Sequence, residues 1–236
     1  MNYVISDIHG CYRQYMKMLG KIGFADDDKL YVLGDVVDRG PEPIEVLMDM
    51  SVRANVIPIM GNHEYIAYFI LKQLLLEFTD KNLVQHFVGG IADFYQKIGA
   101  WVKIGGKSTL EGFGKLPQDD REAVVDYLSE FSLYEIVEVN GKNFILTHSG
   151  PPRMTENIDR LDAFDFATSK TDYDKVYFKD AFTVTGHIPT FRIDETCRGR
   201  IYRKNNHIAI DTGAPFIKAG GALSCICLDT DEEFYV

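Results

Sequence analysis

Leu30-Tyr31-Val32-Leu33-Gly34-Asp35-Val36-Val37-Asp38-Arg39-Gly40 is the stretch that decides the fold. Its first four residues form a continuous apolar run, and the run empties into glycine, carboxylates and an arginine. Apolar at every position and not at alternate ones, such a run suits a strand buried on both faces. The same unit recurs along the chain. Tyr3-Val4-Ile5 leads into Ser6-Asp7-Ile8-His9-Gly10, and Val56-Ile57-Pro58-Ile59-Met60 leads into Gly61-Asn62-His63-Glu64. Farther on, Phe144-Ile145-Leu146 leads into Thr147-His148-Ser149-Gly150, and Ala181-Phe182-Thr183-Val184 into Thr185-Gly186-His187. Between the first strands, Cys11–Leu19 carries apolar residues at helical spacing, as does Pro43–Met50 with proline at its start. Open α/β sheets bind ligands outside the carboxyl ends of their strands, so five strands here deliver polar residues to one place.

The stretch from Glu64 to about Glu130 reads differently. Helices are expected over Tyr65–Phe78, Leu83–Ile98 and Arg121–Ser129, with Gly-rich turns at Gly105-Gly106 and Gly112-Phe113-Gly114. That is a helical insertion, about 64–130, within a single domain of residues 1–236. Period-2 alternation at His207-Ile208-Ala209-Ile210 and from Ala222 to Leu228 predicts antiparallel strands. With Phe234-Tyr235-Val236 after the turn at Asp229-Thr230-Asp231, they are expected to close a second sheet.

Composition narrows the function classes. Of 236 residues, 46% are hydrophobic and 25% charged, which excludes disorder, collagen and coiled coil. The formal charge of −10 argues against duplex nucleic acid as a partner, because phosphate neutralisation needs clustered Lys and Arg. It does not exclude phosphate chemistry, since bound metal ions can be the largest local positive charges. The first residues carry no basic region or apolar core of a secretory signal, and Tyr65–Leu76 is broken by Lys72 and Gln73 and too short for a bilayer. Four cysteines stand at Cys11, Cys197, Cys225 and Cys227, with no CxxC pair among them. The expectation is a soluble, reduced, cytoplasmic protein with no membrane partner.

The candidate chemistry sits at the strand ends. Asp7 and His9 lie two residues apart, on one side of the chain as it leaves a strand, and Asp35, Asn62, His148 and His187 come from four other strand ends. Carboxylate oxygens, imidazole nitrogens and an amide oxygen are all usable ligands for first-row divalent ions. Six such groups can hold two metals if one carboxylate bridges. His86 and His207 have no such setting and read as ordinary structural histidines.

Gly34-Asp35-Val36-Val37-Asp38-Arg39-Gly40, Gly61-Asn62-His63-Glu64 and Asp7-Ile8-His9-Gly10 together resemble the calcineurin-like metallophosphoesterases, specifically the phosphoprotein phosphatase branch. That branch contains Ser/Thr protein phosphatases and the bacterial symmetrical diadenosine tetraphosphatases. Ile210-Asp211-Thr212-Gly213 is similar to the family's late strand and turn. Ile104-Gly105-Gly106-Lys107-Ser108-Thr109-Leu110 is similar to a Gly-Gly-x-x-Thr-Leu segment of the bacterial members. The resemblance implies an α/β fold of two mixed β-sheets packed face to face with flanking helices, four layers in all. It also implies two divalent ions: manganese is expected first, with iron, zinc, cobalt and nickel also compatible with such ligands. Asp7 and His9 match the ligands of the first ion, Asp35 bridges both, and Asn62, His148 and His187 match the ligands of the second. His63 matches the general acid, Asp38 the carboxylate that orients it, and Arg39 a phosphate-binding arginine. The pattern departs at Ser6, where many relatives have glycine, and at His148-Ser149-Gly150. No match to the branch's second arginine motif exists in Pro151–Thr185, where Arg153, Arg160 and Lys170 are the candidate cations.

Three functions compete. The first is a phosphomonoesterase acting on phosphorylated protein, Ser/Thr-type, or on a small phosphate ester. The second keeps the chemistry and takes a dinucleoside polyphosphate or an RNA 5′ end, with Phe94, Tyr95, Trp101 or Phe113 available to stack a base. The third is a catalytically silent metal-bound scaffold, which would be favoured by loss of His63, Asp38 or a ligand; none is lost.

Overall fold

The computed structural model describes residues 1–79, 90–150 and 163–236. In chain order the first part runs β1 (Asn2–Ile5), α1 (Tyr12–Ile22), β2 (Lys29–Leu33), α2 (Pro43–Ser51) and β3 (Val56–Ile59). Four helices follow: α3 (Asn62–Thr79), α4 (Gly90–Trp101), α5 (Lys107–Lys115) and α6 (Gln118–Ser129). The rest is β4 (Tyr134–Val139), β5 (Lys142–Thr147), α7 (Ala163–Thr168), β6 (Ala181–Thr185), α8 (Thr190–Ile193), β7 (Tyr202–Lys204), β8 (His207–Ala209), β9 (Ser224–Cys227) and β10 (Glu233–Tyr235).

The strands form two five-stranded mixed sheets, ordered β10-β9-β1-β2-β3 and β4-β5-β6-β8-β7. β1, β2 and β3 run parallel, as do β5, β6 and β8, so each sheet turns three carboxyl ends the same way. Alternate residues serve alternate faces. Tyr3, Ile5, Cys225 and Cys227 join the core under the helices, whereas Val4, Leu33, Ile59 and Ile226 pack against Phe144, Leu146, Val184 and Ile208 of the other sheet. The first sheet's outer face is covered by α1, α2 and α3–α6, through buried residues such as Tyr15, Leu47, Leu71 and Val124. The second sheet's outer side carries α7, where Phe166 stacks on Tyr134 at 5.3 Å, and the loop of Tyr173 and Tyr177. Pro58 stands in β3, an edge strand, where its missing N–H breaks no ladder and its carbonyl accepts from the Ser132 amide at 3.1 Å.

Four details differ from the sequence expectations. The Ala222–Leu228 strand does not join the second sheet: β9 pairs antiparallel with β1 and with β10, placing both late strands in the first. Gly112-Phe113-Gly114 is not a turn but lies within α5, where a glycine at 112 lets the helix seat on Ile44. α3 begins at Asn62, not Tyr65, so Asn62 and His63 occupy a helical first turn. The helix expected over Leu83–Ile98 is described as α4 from Gly90 and runs on to Trp101, while residues 83–89 lie outside the described residues. All four cysteines are free thiols, and no helix among the described residues is long and apolar enough to cross a membrane.

Candidate functional site

Each strand end hands its polar residues to the site through an abrupt backbone turn. Among the described non-glycine residues with left-handed φ are Asp7, His9, Asp35, Asp38, Arg39 and His187, at +50°, +46°, +50°, +71°, +62° and +67°. Residues in this region are costly, and their clustering marks a place where surrounding contacts hold the chain. Glycines let the ends converge: a Cβ at Gly34 would overlap the Gly61 backbone, and one at Gly186 would overlap the Asp7 carboxylate.

Asp35 lies at the centre. Its Oδ2 is 3.5 Å from His9 Nε2 and 3.8 Å from His63 Nε2, and its Oδ1 is 3.4 Å from His148 Nε2. Two groups of ligand atoms result, His9–Asp35–His63 and Asp35–His148–His187, each with its atoms within 4.8 Å of one another. Asn62 Oδ1 completes the second, 3.1 Å from His148 Nε2 and 3.0 Å from His187 Nδ1. His9 Nδ1 and His148 Nδ1 face the Val37 and Leu33 carbonyls at 2.9 and 2.7 Å. A carbonyl only accepts, so both Nδ1 atoms carry the hydrogen and both Nε2 lone pairs turn inward. Asp7 Oδ2 accepts the His187 amide at 3.0 Å, but Asp7 Oδ1 is buried and has no hydrogen-bond partner among the described residues. An orphaned carboxylate oxygen beside converging nitrogen lone pairs and an amide oxygen is a donor set fitted to divalent cations.

A second ring of contacts fixes these groups. Glu64, fully buried, accepts the amides of Asp35, Val36, Val37 and Gly61 at 2.7, 2.7, 3.0 and 3.1 Å. Asp38 Oδ2 faces His63 Nδ1 at 2.6 Å and accepts the Trp101 indole at 2.7 Å, while Oδ1 accepts the Thr109 hydroxyl at 2.6 Å. The Arg39 guanidinium reaches His9 Nε2 at 2.5 Å and His63 Nε2 at 3.0 Å, a cation set against two inward nitrogens.

Burial and mutual charge set the titration. Burial lowers His9 to about 3 and His187 to about 4, so these imidazoles stay neutral and free to ligate. His63 goes the other way: burial opposes its charge, but Asp35 and Asp38 outweigh it and raise its pKa. Burial raises Asp7, with Asp211 and Asp35 adding to it, whereas the histidines around Asp35 hold that carboxyl low against its burial. Asp211, buried at the end of β8, is pushed up to about 7 chiefly by desolvation.

The structure therefore brings all nine residues singled out in the sequence to one place: Asp7, His9, Asp35, Asn62, His148 and His187, with His63, Asp38 and Arg39. Arg39 turns to the imidazoles. Glu64, Trp101, Thr109 and Asp211 were not assigned to it, although Glu64 closes the Gly61-Asn62-His63-Glu64 string and Thr109 stands in the Gly-Gly-x-x-Thr-Leu segment. Of the aromatics considered for base stacking, Phe94, Trp101 and Phe113 are core residues, while Tyr95 is exposed. His207 is a buried core histidine bonded to the Lys175 carbonyl. Lys170 is exposed, and His86, Arg153 and Arg160 lie outside the described residues.

The model of the calcineurin-like phosphoesterase family matches residues 3–214. The symmetrical bis(5'-nucleosyl)-tetraphosphatase of Buchnera aphidicola subsp. Baizongia pistaciae is 44% identical over 64 residues, 26% of this chain and 23% of that protein. Its namesake from Proteus mirabilis is 39% identical over 64 residues, with the same coverage of 26% and 23%. The chain thus matches less than a quarter of the length of these curated relatives. Among solved structures, one named provisionally as a diadenosine tetraphosphatase superposes with a TM-score of 0.64 at 21% identity, covering 100% of this chain and 92% of that one. A Ser/Thr protein phosphatase from Saccharomyces cerevisiae gives 0.60 at 14% identity, covering 100% and 79%. At such identities the likeness is one of fold.

Proposed function

The chain belongs to the calcineurin-like phosphoesterase family, and on that footing we propose that it is a metal-dependent hydrolase of dinucleoside polyphosphates. The observation that carries the metal chemistry is Asp35, one carboxylate shared by two groups of ligand atoms. The names of the matched relatives support the nucleotide substrate and move it ahead of the phosphoprotein that the sequence motifs placed first.

Asp7, His9 and Asp35 would hold one divalent ion, and Asp35, Asn62, His148 and His187 the other, with manganese the first choice for reconstitution. Bound there, the ions supply Lewis acidity and lower the pKa of water. Arg39 offers a planar fork that matches two non-bridging phosphate oxygens. His63 is oriented through Nδ1 by Asp38, and Asp35 and Asp38 raise its pKa against its burial, which favours the proton it would donate from Nε2. A water oxygen bonds to phosphorus and gives up a proton to solvent, the P–O bond of the central bridge breaks, and the departing nucleoside diphosphate takes the electron pair and the His63 proton. His63, left neutral, recovers a proton from solvent before the next cycle.

The test is a panel with Mn²⁺ supplied: diadenosine tetraphosphate, a phosphoserine peptide, para-nitrophenyl phosphate and 5′-triphosphate RNA. The expected result is cleavage of diadenosine tetraphosphate to two molecules of ADP with the highest kcat/KM. A higher kcat/KM on the phosphopeptide would restore the protein phosphatase, the reading that the sequence motifs placed first.

A further inference from the structure

Beside the site runs an apolar groove of about 650 Å³, between the first half of α3 and the last half of α4. Tyr65, Phe69, Phe94, Trp101 and Ile104 line it. Phe94 and Trp101 form its floor at 2% and 1% exposure, whereas Phe69 and Ile104 stand open at 48% and 45%. Tyr65 packs edge-on against Phe69, with ring centroids 4.9 Å apart. Both flanking helices have their site-facing ends at the same end of the groove. α3 starts with Asn62 and His63, and α4 ends with Trp101, which is bonded to Asp38. At that end Ile104 precedes Gly105, whose carbonyl accepts the Arg39 amide at 3.0 Å.

We propose that this groove takes the nucleoside end of the substrate, its base laid against the exposed ring of Phe69 and beside Tyr65 while its phosphates lie between Arg39 and Asp35. Three features favour that occupant. The volume falls in the range of small-molecule sites, roughly 300–1,000 Å³. In a chain of formal charge −10, the described residues lining the groove include Gln73 and Lys97 and no carboxylate, with Lys97 paired to Asp93 at 2.7 Å. That suits a neutral ring tethered to a polyanion, with an amide available to a base edge. The groove also adjoins the phosphate site, because Trp101 is part of the floor of one and the support of Asp38 in the other. The inference rests on the nucleotide reading of the function, and its test is arranged to fail separately.

Trp101 is the chain's single tryptophan, so its fluorescence reports the groove without turnover. AMP should change that fluorescence saturably in the metal-loaded protein, whereas ribose 5-phosphate should not. Phe69→Ala, a change at a half-exposed ring, should weaken AMP about 10-fold, a typical stacking loss. It should lower the ratio of kcat/KM for diadenosine tetraphosphate to that for para-nitrophenyl phosphate by a similar factor. A silent Trp101 and an unchanged ratio, in an enzyme that cleaves diadenosine tetraphosphate, would overturn the groove and leave the function standing. Equal losses on both substrates would also overturn it, by making Phe69 a structural residue. AMP binding that is sensitive to Phe69→Ala, in a protein that does not cleave diadenosine tetraphosphate, would uphold the groove and overturn the substrate.

Discussion

The indole of Trp101 donates to Asp38 Oδ2 at 2.7 Å, on the same oxygen that faces His63 Nδ1 at 2.6 Å. Asp38 is fully buried, and its other oxygen and its amide are both tied to Thr109. A carboxylate so held cannot swing away from the imidazole, and the imidazole therefore presents Nε2 to the site in one orientation. Replacing Trp101 by Phe keeps the ring and removes the donor. We expect kcat on a phosphoserine peptide to fall by about 10-fold, with metal content unchanged, because the proton donor is misaligned and not deleted. Unaltered kcat on that substrate, measured beside metal stoichiometry, would remove Trp101 from the assembly that orients His63.

His63→Asn deletes the donor itself. Its expected loss in kcat is roughly 10²–10⁴-fold on a phosphoserine peptide. The loss should be far smaller on para-nitrophenyl phosphate, whose leaving group departs without a proton, and Asp38→Asn should show the same pattern more weakly. Equal losses on both substrates would assign His63 to phosphate binding, and loss of an ion would make it a ligand.

Asp35→Asn should be the most damaging single ligand change, because Asp35 alone belongs to both groups of ligand atoms. Elemental analysis should find fewer than two ions per chain, against two in the parent protein reconstituted with Mn²⁺. Two ions bound with unchanged affinity would refute the bridging assignment.

The parallel strands and their polar ends are legible because information lies within each run: Leu30 to Gly40 names its own strand and its own cargo. Sheet membership is not local. Ser224–Cys227 reads as a strand by alternation, yet only its pairing with Ile5 and Val4, more than 200 positions away, decides which sheet it extends. The supports of the site escape for the same reason. Trp101 and Thr109 stand 63 and 71 positions from Asp38 and look like ordinary apolar and helical residues until the chain folds. Glu64 sits inside a recognisable string, but its four amide bonds depend on α3 starting under the β2 turn.

Glu64→Gln tests that last arrangement through stability. Both carboxylate oxygens accept amide hydrogens, so an amide nitrogen would face two donors in a buried pocket. Leaving buried donors unpaired costs about 1–3 kcal/mol each, so the metal-free protein should unfold at markedly lower urea. A midpoint equal to that of the parent would show the pocket to be hydrated and its bonds replaceable.

His207 gives a pH test away from the metal ligands. Burial lowers its folded pKa below its ordinary value of 6.5, against the pull of the Lys175 carbonyl. Below pH 6.5 the unfolded chain takes up a proton that the folded chain refuses. The stabilising contribution is therefore complete above pH 6.5 and shrinks as pH falls towards the depressed folded value. His207→Gln, which keeps an N–H for Lys175, should flatten the decline of unfolding free energy between pH 6.5 and 5 relative to the parent. Parallel slopes in the two proteins would place the sensitivity elsewhere.

Asp7, His9, Asp35 and Asn62 are carried by the first sheet, whereas His148 and His187 are carried by the second. A cation gripped by Asp35 and His148 together would therefore act as a rivet through the apolar seam where Val4, Leu33 and Ile59 meet Leu146 and Val184. Its binding free energy would add to the cohesion of that seam by about 2.7 kcal/mol at a free concentration 100 times its dissociation constant. Chelation would then do more than silence an enzyme: it would loosen one half of the molecule from the other, and a protease would sense the difference before any substrate did.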